Sequence, residues 1–165
     1  ARAENAYAVA KGRASTSYNY GDEVRNIQAS STSPNIAKYV DNGFYGTTSD
    51  ATVTEIYLFG TASQRYVVYA NSIISFKIMV CAKVTNGRGK IWSIKGGIKR
   101  DSSNSTSLVG TVDKVIVAED SSTGTWDVTV AADDTNESLK LSVTGEAATT
   151  IAWAAKLETV EVRYS

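Results

Sequence analysis

Carboxylates, lysines and tyrosines are the residues left to do chemistry in this chain, because histidine is absent and cysteine occurs once. Without imidazole there is no Ser-His-Asp or Cys-His nucleophile system, no His-bearing zinc site and no ordinary acid/base group near neutral pH. The single thiol, Cys81, builds neither a thiolate zinc site nor an internal disulfide. The densest acidic group is Asp133-Asp134-Thr135-Asn136-Glu137. Its oxygens are of the kind calcium takes, but the spacing and glycine of a calcium loop are missing. The same residues read as a hairpin turn with solvated carboxylates and Asn136 supplying a positive φ. Asp120 with Asp127, or Glu55 with Glu158, offers the two carboxylates of a glycosidase. Each taken singly reads as a solvent-face strand or turn residue, and no spacing brings either pair together. Gly96-Gly97-Ile98-Lys99-Arg100 lacks the longer glycine pattern ahead of a helix that cradles phosphate. It reads as a bulge beside a solvated basic face. No catalytic residue, metal or cofactor is expected.

Aromatic side chains suit binding better than catalysis. Indoles stack on sugar rings, yet Trp126 and Trp153 continue alternating apolar runs and belong to a core. Trp92 shares a face with Ile94 but sits between Lys90 and Lys95, so it is read as core first and as a sugar platform second. Tyr18, Tyr20, Tyr39, Phe44 and Tyr45 crowd an irregular N-terminal third among Asn, Ser and Asp. A core cannot hold them all; they cover a sheet edge, meet another subunit or contact a glycan. The candidate carbohydrate-binding residues are therefore Tyr18, Tyr20, Tyr39, Tyr45 and Trp92.

The elements that must position these groups are strands. Trp126, Val128 and Val130, then Leu139, Leu141 and Val143, then Ile151, Trp153, Ala155 and Leu157 alternate with polar or small residues. A period of two marks strands with one buried face. The same period runs through Ile73 to Val84, where Ile74, Phe76, Ile78, Val80, Ala82 and Val84 share a face. Cys81 is expected to be a small buried residue of this central strand. Asn86-Gly87-Arg88-Gly89 turns the chain back into Lys90 to Lys95, which resumes through Ile98 after a bulge at Gly96-Gly97. Further strands are expected over Val53 to Phe59, Tyr66 to Tyr69, Val112 to Ala118, Thr125 to Ala131, Ser138 to Thr144 and Thr150 to Val162, with Asp101 to Ser107 a mobile loop. This predicts an all-β fold, an antiparallel β-sandwich of jelly-roll-like type. Residues 1–46 form an extended, irregular Ala/Gly/Tyr-rich segment ahead of it, with a short helix over Ala3 to Lys11 as the alternative there. Residues 47–165 form the sandwich domain.

Seventeen basic and seventeen acidic side chains cancel, so no global field draws the chain to nucleic acid or an acidic membrane. Apolar runs are only a few residues long, too short for a membrane-spanning helix. The first residues carry Arg2, Glu4 and Lys11 and lack the apolar core of a secretory signal. With no initiator Met, the chain reads as part of a larger polypeptide.

The stretch Lys90-Ile91-Trp92-Ser93-Ile94-Lys95-Gly96-Gly97-Ile98-Lys99-Arg100 carries a resemblance, together with Leu108-Val109-Gly110, Trp126-Asp127-Val128, Thr144-Gly145-Glu146 and Ile151-Ala152-Trp153-Ala154-Ala155-Lys156-Leu157. From about Val53 to Val162 the sequence resembles the C-terminal domains of tailed-bacteriophage tail fibres and tailspikes. The Ala-rich start, Ala1 to Ser15, is similar to the repetitive stalks that lead into such domains. The resemblance implies a non-enzymatic domain of a homotrimeric virion appendage, made in the host cytoplasm and acting outside the cell. Its implied role is attachment to a bacterial surface polysaccharide, clamping of the trimer, or both. Any depolymerising activity is implied to lie upstream. A monomeric carbohydrate-binding module or bacterial surface adhesin is the alternative.

Overall fold

The computed structural model describes residues 9–11, 23–26, 35–85 and 87–164. Among them every regular element is a strand: β1 (Val9–Lys11), β2 (Glu23–Asn26), β3 (Asn35–Thr48), β4 (Val53–Leu58), β5 (Tyr66–Val67), β6 (Ser72–Lys83), β7 (Gly89–Arg100), β8 (Thr106–Glu119), β9 (Asp127–Asp133), β10 (Ser138–Thr144) and β11 (Ile151–Tyr164). β6, β7 and β8 form an antiparallel meander. β11 inserts between β6 and β3, antiparallel to both, and completes the larger layer. β10 carries β9 along one edge and β5 followed by β4 along the other. β4 joins the layers, pairing Val53–Ile56 with β10 and then Tyr57 and Leu58 with Tyr45 and Phe44 of β3. The result is an antiparallel sheet curled over itself into a sandwich, as the alternating sequence predicts; among the described residues β1 with β2 is the one parallel pair.

Burial follows the period of two. On β11, Ile151, Trp153, Ala155, Leu157, Thr159 and Glu161 point inward, and on β6 Ile74, Phe76, Ile78, Val80 and Ala82 do so. The smaller layer answers with Ile56, Leu58, Tyr66, Val128, Leu139, Leu141 and Val143. At the centre Trp92 and Trp153 stack with centroids 5.7 Å apart, and Trp126 tilts against Trp153 at 6.3 Å. The indole N–H of Trp153 donates to Thr48 Oγ1 and that of Trp126 to Glu146 Oε2, both at 3.0 Å. Removing one such ring from a packed core costs about 3–5 kcal/mol.

Several expectations change. The division at residue 46 falls inside β3, which pairs with β11 along its whole length and sends Val40 and Phe44 into the core; the sandwich therefore begins by Asn35. Over Ala3 to Lys11, where a short helix is the alternative to an extended segment, Val9–Lys11 is strand. Cys81 is exposed, because Val80 and Ala82 take the inward positions of β6 and parity turns Cys81 out. The irregularity assigned to Gly96-Gly97 sits across the ladder. Lys95 and Gly97 oppose Asp113 and Val109, so the extra residues belong to β8, where Gly110 takes a φ of +71°. Gly96 serves packing instead: a Cβ there would lie 2.6 Å from Phe76 Cζ. The expected loop Asp101 to Ser107 contracts to a turn, with β8 starting at Thr106. Asp101 Oδ1 organises that turn, accepting from the N–H groups of Ser103 and Ser105, each at 2.9 Å. The strand expected from Thr125 begins at Asp127, after a turn closed by Trp126 N–H donating to Thr123 O.

Candidate functional site

The outer face of β3, β11 and β6 is laid down by the residues alternation turns away from the core. In register across it lie Tyr45, Ala154 and Cys81, then Gly43, Lys156 and Met79, then Asp41, Glu158 and Lys77. The first row is small or apolar, the second sets Lys156 between Gly43 and Met79, and the third is charged. Between them runs a shallow groove of about 450 Å³ whose lining includes Asp41, Tyr45, Phe59, Met79, Cys81 and Lys156. Tyr45 is 51% exposed, and its phenol end lies along Gly43, with Oη 3.4 Å from where a Cβ would stand. The missing side chain at Gly43 thus lets the ring settle along the strand beside Asp41.

Lys156 is the polar centre of the groove. Its Nζ donates to Glu158 Oε1 at 2.7 Å and lies 3.7 Å from Asp41 Oδ2. The hydrogen bond to Glu158 raises the Lys156 pKa, and the same bond holds the Glu158 carboxyl below its usual range. The groove presents the Lys156 ammonium with Asp41 and the Tyr45 phenol on an open surface, and Glu158 borders it through its bond to Lys156. Such a set hydrogen-bonds hydroxyl-rich ligands.

The candidate residues do not converge. Tyr18 and Tyr20 lie outside the described residues. Tyr39 stands on β3 between Arg25 of β2 and Val160 of β11, with its backbone alone described. Tyr45 is on the groove. Trp92 is a correction: at 0% exposure, stacked on Trp153 and with Lys90 Nζ 5.4 Å from its ring centroid, it presents no face to a sugar. Residue alternation on β7 carries it inward with Ile94. Asp41, Gly43 and Lys156 were not singled out by the sequence: Asp41 and Gly43 share the outer face of β3 with Tyr45 only once β3 is a strand, and Lys156 joins them through pairing with a strand more than a hundred residues later.

The acidic candidates are engaged elsewhere. Asp133 Oδ1 accepts from Thr135 and Asn136 N–H at 3.1 and 3.0 Å, and Asn136 Nδ2 donates to Oδ2 at 2.8 Å. Burial pushes the Asp133 carboxyl up, but these bonds and Arg65 outweigh it and hold the group below its ordinary value. The turn places the positive φ on Glu137 and not on Asn136. Glu137 is salt-bridged to Arg100 at 3.1 Å. Glu55 pairs with Arg65 at 2.9 Å, Asp127 with Lys114 at 2.6 Å, and Asp120 accepts from Gly89 N–H at 2.8 Å. Among the described residues no group of three or more metal-ligating side chains could hold an ion. No helix there is long and apolar enough to cross a membrane. Neither protein-family models nor curated proteins give a match to this sequence.

Proposed function

We propose that this chain is a non-enzymatic attachment domain of a phage tail fibre or tailspike, working as a homotrimer that binds a bacterial surface polysaccharide through the Tyr45 groove. The observation that carries the reading is a half-exposed phenol lying beside Asp41 and Lys156 on an otherwise flat sheet face. The ring supplies a surface for the C–H face of a sugar, while the carboxylates and the ammonium bond its hydroxyls. An open groove of this kind holds one sugar weakly, and three copies on one appendage raise the overall affinity by avidity. Support for a binding role over hydrolysis comes from Glu55, Glu158, Asp120 and Asp127, each held by its own cation or backbone N–H.

The test is titration of the protein with purified capsular or O-antigen polysaccharides, comparing wild type with Tyr45→Ala. Loss of binding with an unchanged melting temperature supports the site. Undiminished binding by the variant excludes it. A monomer that still binds through Tyr45 would favour an isolated carbohydrate-binding module or adhesin.

A further inference from the structure

β8 is the outer strand of the larger layer, paired with β7 on one edge and, among the described residues, with no strand on the other. Exposed sheet edges recruit further strands, and native proteins blunt them with lysine, proline or short length. Here the edge carries Val115, Ile116 and Val117, exposed by 50%, 46% and 55%, with neither lysine nor proline from Val115 to Ala118. Three consecutive exposed apolar residues on a strand call for a partner.

We propose that this edge pairs, antiparallel and about a two-fold axis, with β8 of a second copy of the chain. The register is set by charge and by face. Ile91 opposes Ala118 and Trp92 opposes Ile116, so Val117 is an extra residue in β8. That insertion puts Lys114 and Glu119 on the same inner face, opposite Ile94 and Lys90, and Val115 and Ala118 on the outer face, opposite Ser93 and Ile91. Only residues on the same face meet across an antiparallel pair. Setting Lys114 against Glu119 of the second copy also sets Val115 against its Ala118 and Ile116 against its Val117. Apolar residues then cover apolar residues, and the two Val117 insertions fall side by side at the axis. Within each chain Lys114 Nζ is 2.6 Å from Asp127, and Lys90 Nζ is 2.9 Å from Glu119. The pairing links these ion pairs into a row of alternating sign: Asp127, Lys114, then Glu119 and Lys90 of the second copy. Sliding the strands until Lys114 faces its own copy replaces this with like charges in opposition, which disfavours that register.

The inference goes beyond the three-fold assembly proposed above and is separable from it. The experiment is light scattering on a sizing column across a range of concentrations, with wild type, Val117→Lys and Val115→Lys. The expected wild-type mass is six chains, two trimers joined through their β8 edges; a mass of two chains supports edge pairing and overturns the trimer reading. Each lysine variant halves that mass while its circular dichroism and melting temperature stay unchanged. A variant that fails to fold is replaced by the other, since the two side chains sit at different positions of the strand. A wild-type mass of one chain overturns both proposals. Three chains, or a mass indifferent to both lysines, overturns edge pairing and leaves the trimer reading standing.

Discussion

The hydroxyl of Tyr66, on the two-residue strand β5, lies 2.9 Å from Thr159 Oγ1 on β11, 93 positions later in the chain. Thr159 Oγ1 also approaches Val40 O at 3.5 Å, so Thr159 donates to the carbonyl and accepts from the phenol. This bond crosses the buried interior from the smaller layer to the larger one and fixes how they lie against each other.

Replacing Tyr66 with Phe keeps the buried ring and removes that bond. A buried hydrogen bond contributes about 1 kcal/mol net, and more where its partner is left unsatisfied. Since Thr159 keeps Val40 O, the expected loss is about 1–1.5 kcal/mol in urea unfolding, with no change in slope. A loss below the error of the measurement would show that the phenol finds water or another partner.

Gly96→Ala should destabilise by about 1–3 kcal/mol, the usual cost of forcing extra volume into a packed site. The added carbon would meet the Phe76 ring at 2.6 Å. The same substitution in a Phe76→Leu background should cost less, because the ring edge is gone. A double-mutant cycle reads the difference directly, and additive effects would locate the strain elsewhere.

The Asp101 carboxyl is held below its ordinary value, first by the Ser105 backbone N–H and then by the Ser103 side chain. A carboxylate depressed in the folded state stabilises fully above its unfolded pKa, near 3.8, and loses that effect as pH falls through the lower folded value. Asp101→Asn should therefore lower the melting temperature at pH 7, and the gap to wild type should close in acid. A gap constant with pH would mean that the turn does not need the charge.

All three tryptophans are exposed by 2% or less. Iodide should barely quench the fluorescence of the folded protein and should quench strongly after unfolding in urea. Polysaccharide bound at the Tyr45 groove should leave the tryptophan emission nearly unchanged, and a large shift on binding would place the ligand at an indole instead.

The strands with strict alternation were legible because a local period of two is enough to specify them. Ile74 to Val84 and Ile151 to Leu157 point as their spacing predicts. β3 was not, because its residues fall mostly in the irregular segment of small and polar residues over 1–46 and show no period of two. What holds them extended is fourteen residues of register with β11, from Asn35 opposite Tyr164 to Thr48 opposite Ile151. The bulge was placed on the wrong strand for a related reason: glycine signals a local need, and at Gly96 that need is room for a ring on the neighbouring strand. Tyr45 could be named as an outward aromatic, but Asp41 shares its face only once β3 runs as a strand, and Lys156 arrives only with the β3–β11 pairing. Trp92 looked ambiguous from its flanking lysines, yet Lys90 itself is buried, paired with Glu119 and lying over the indole.

The insertion of β11 between β3 and β6 has a consequence for synthesis. Its neighbours in the sheet leave the ribosome long before it does, and until Ile151 to Tyr164 emerges they have no strand between them to pair with. A nascent chain can form the β6–β7–β8 meander early, since those contacts are local and quickly closed. The larger layer, with β3 joined to that meander, has to wait for the last fourteen-residue strand. Truncation within β11 should thus leave two separated pieces with open apolar edges, prone to aggregation, in place of a slightly weakened whole.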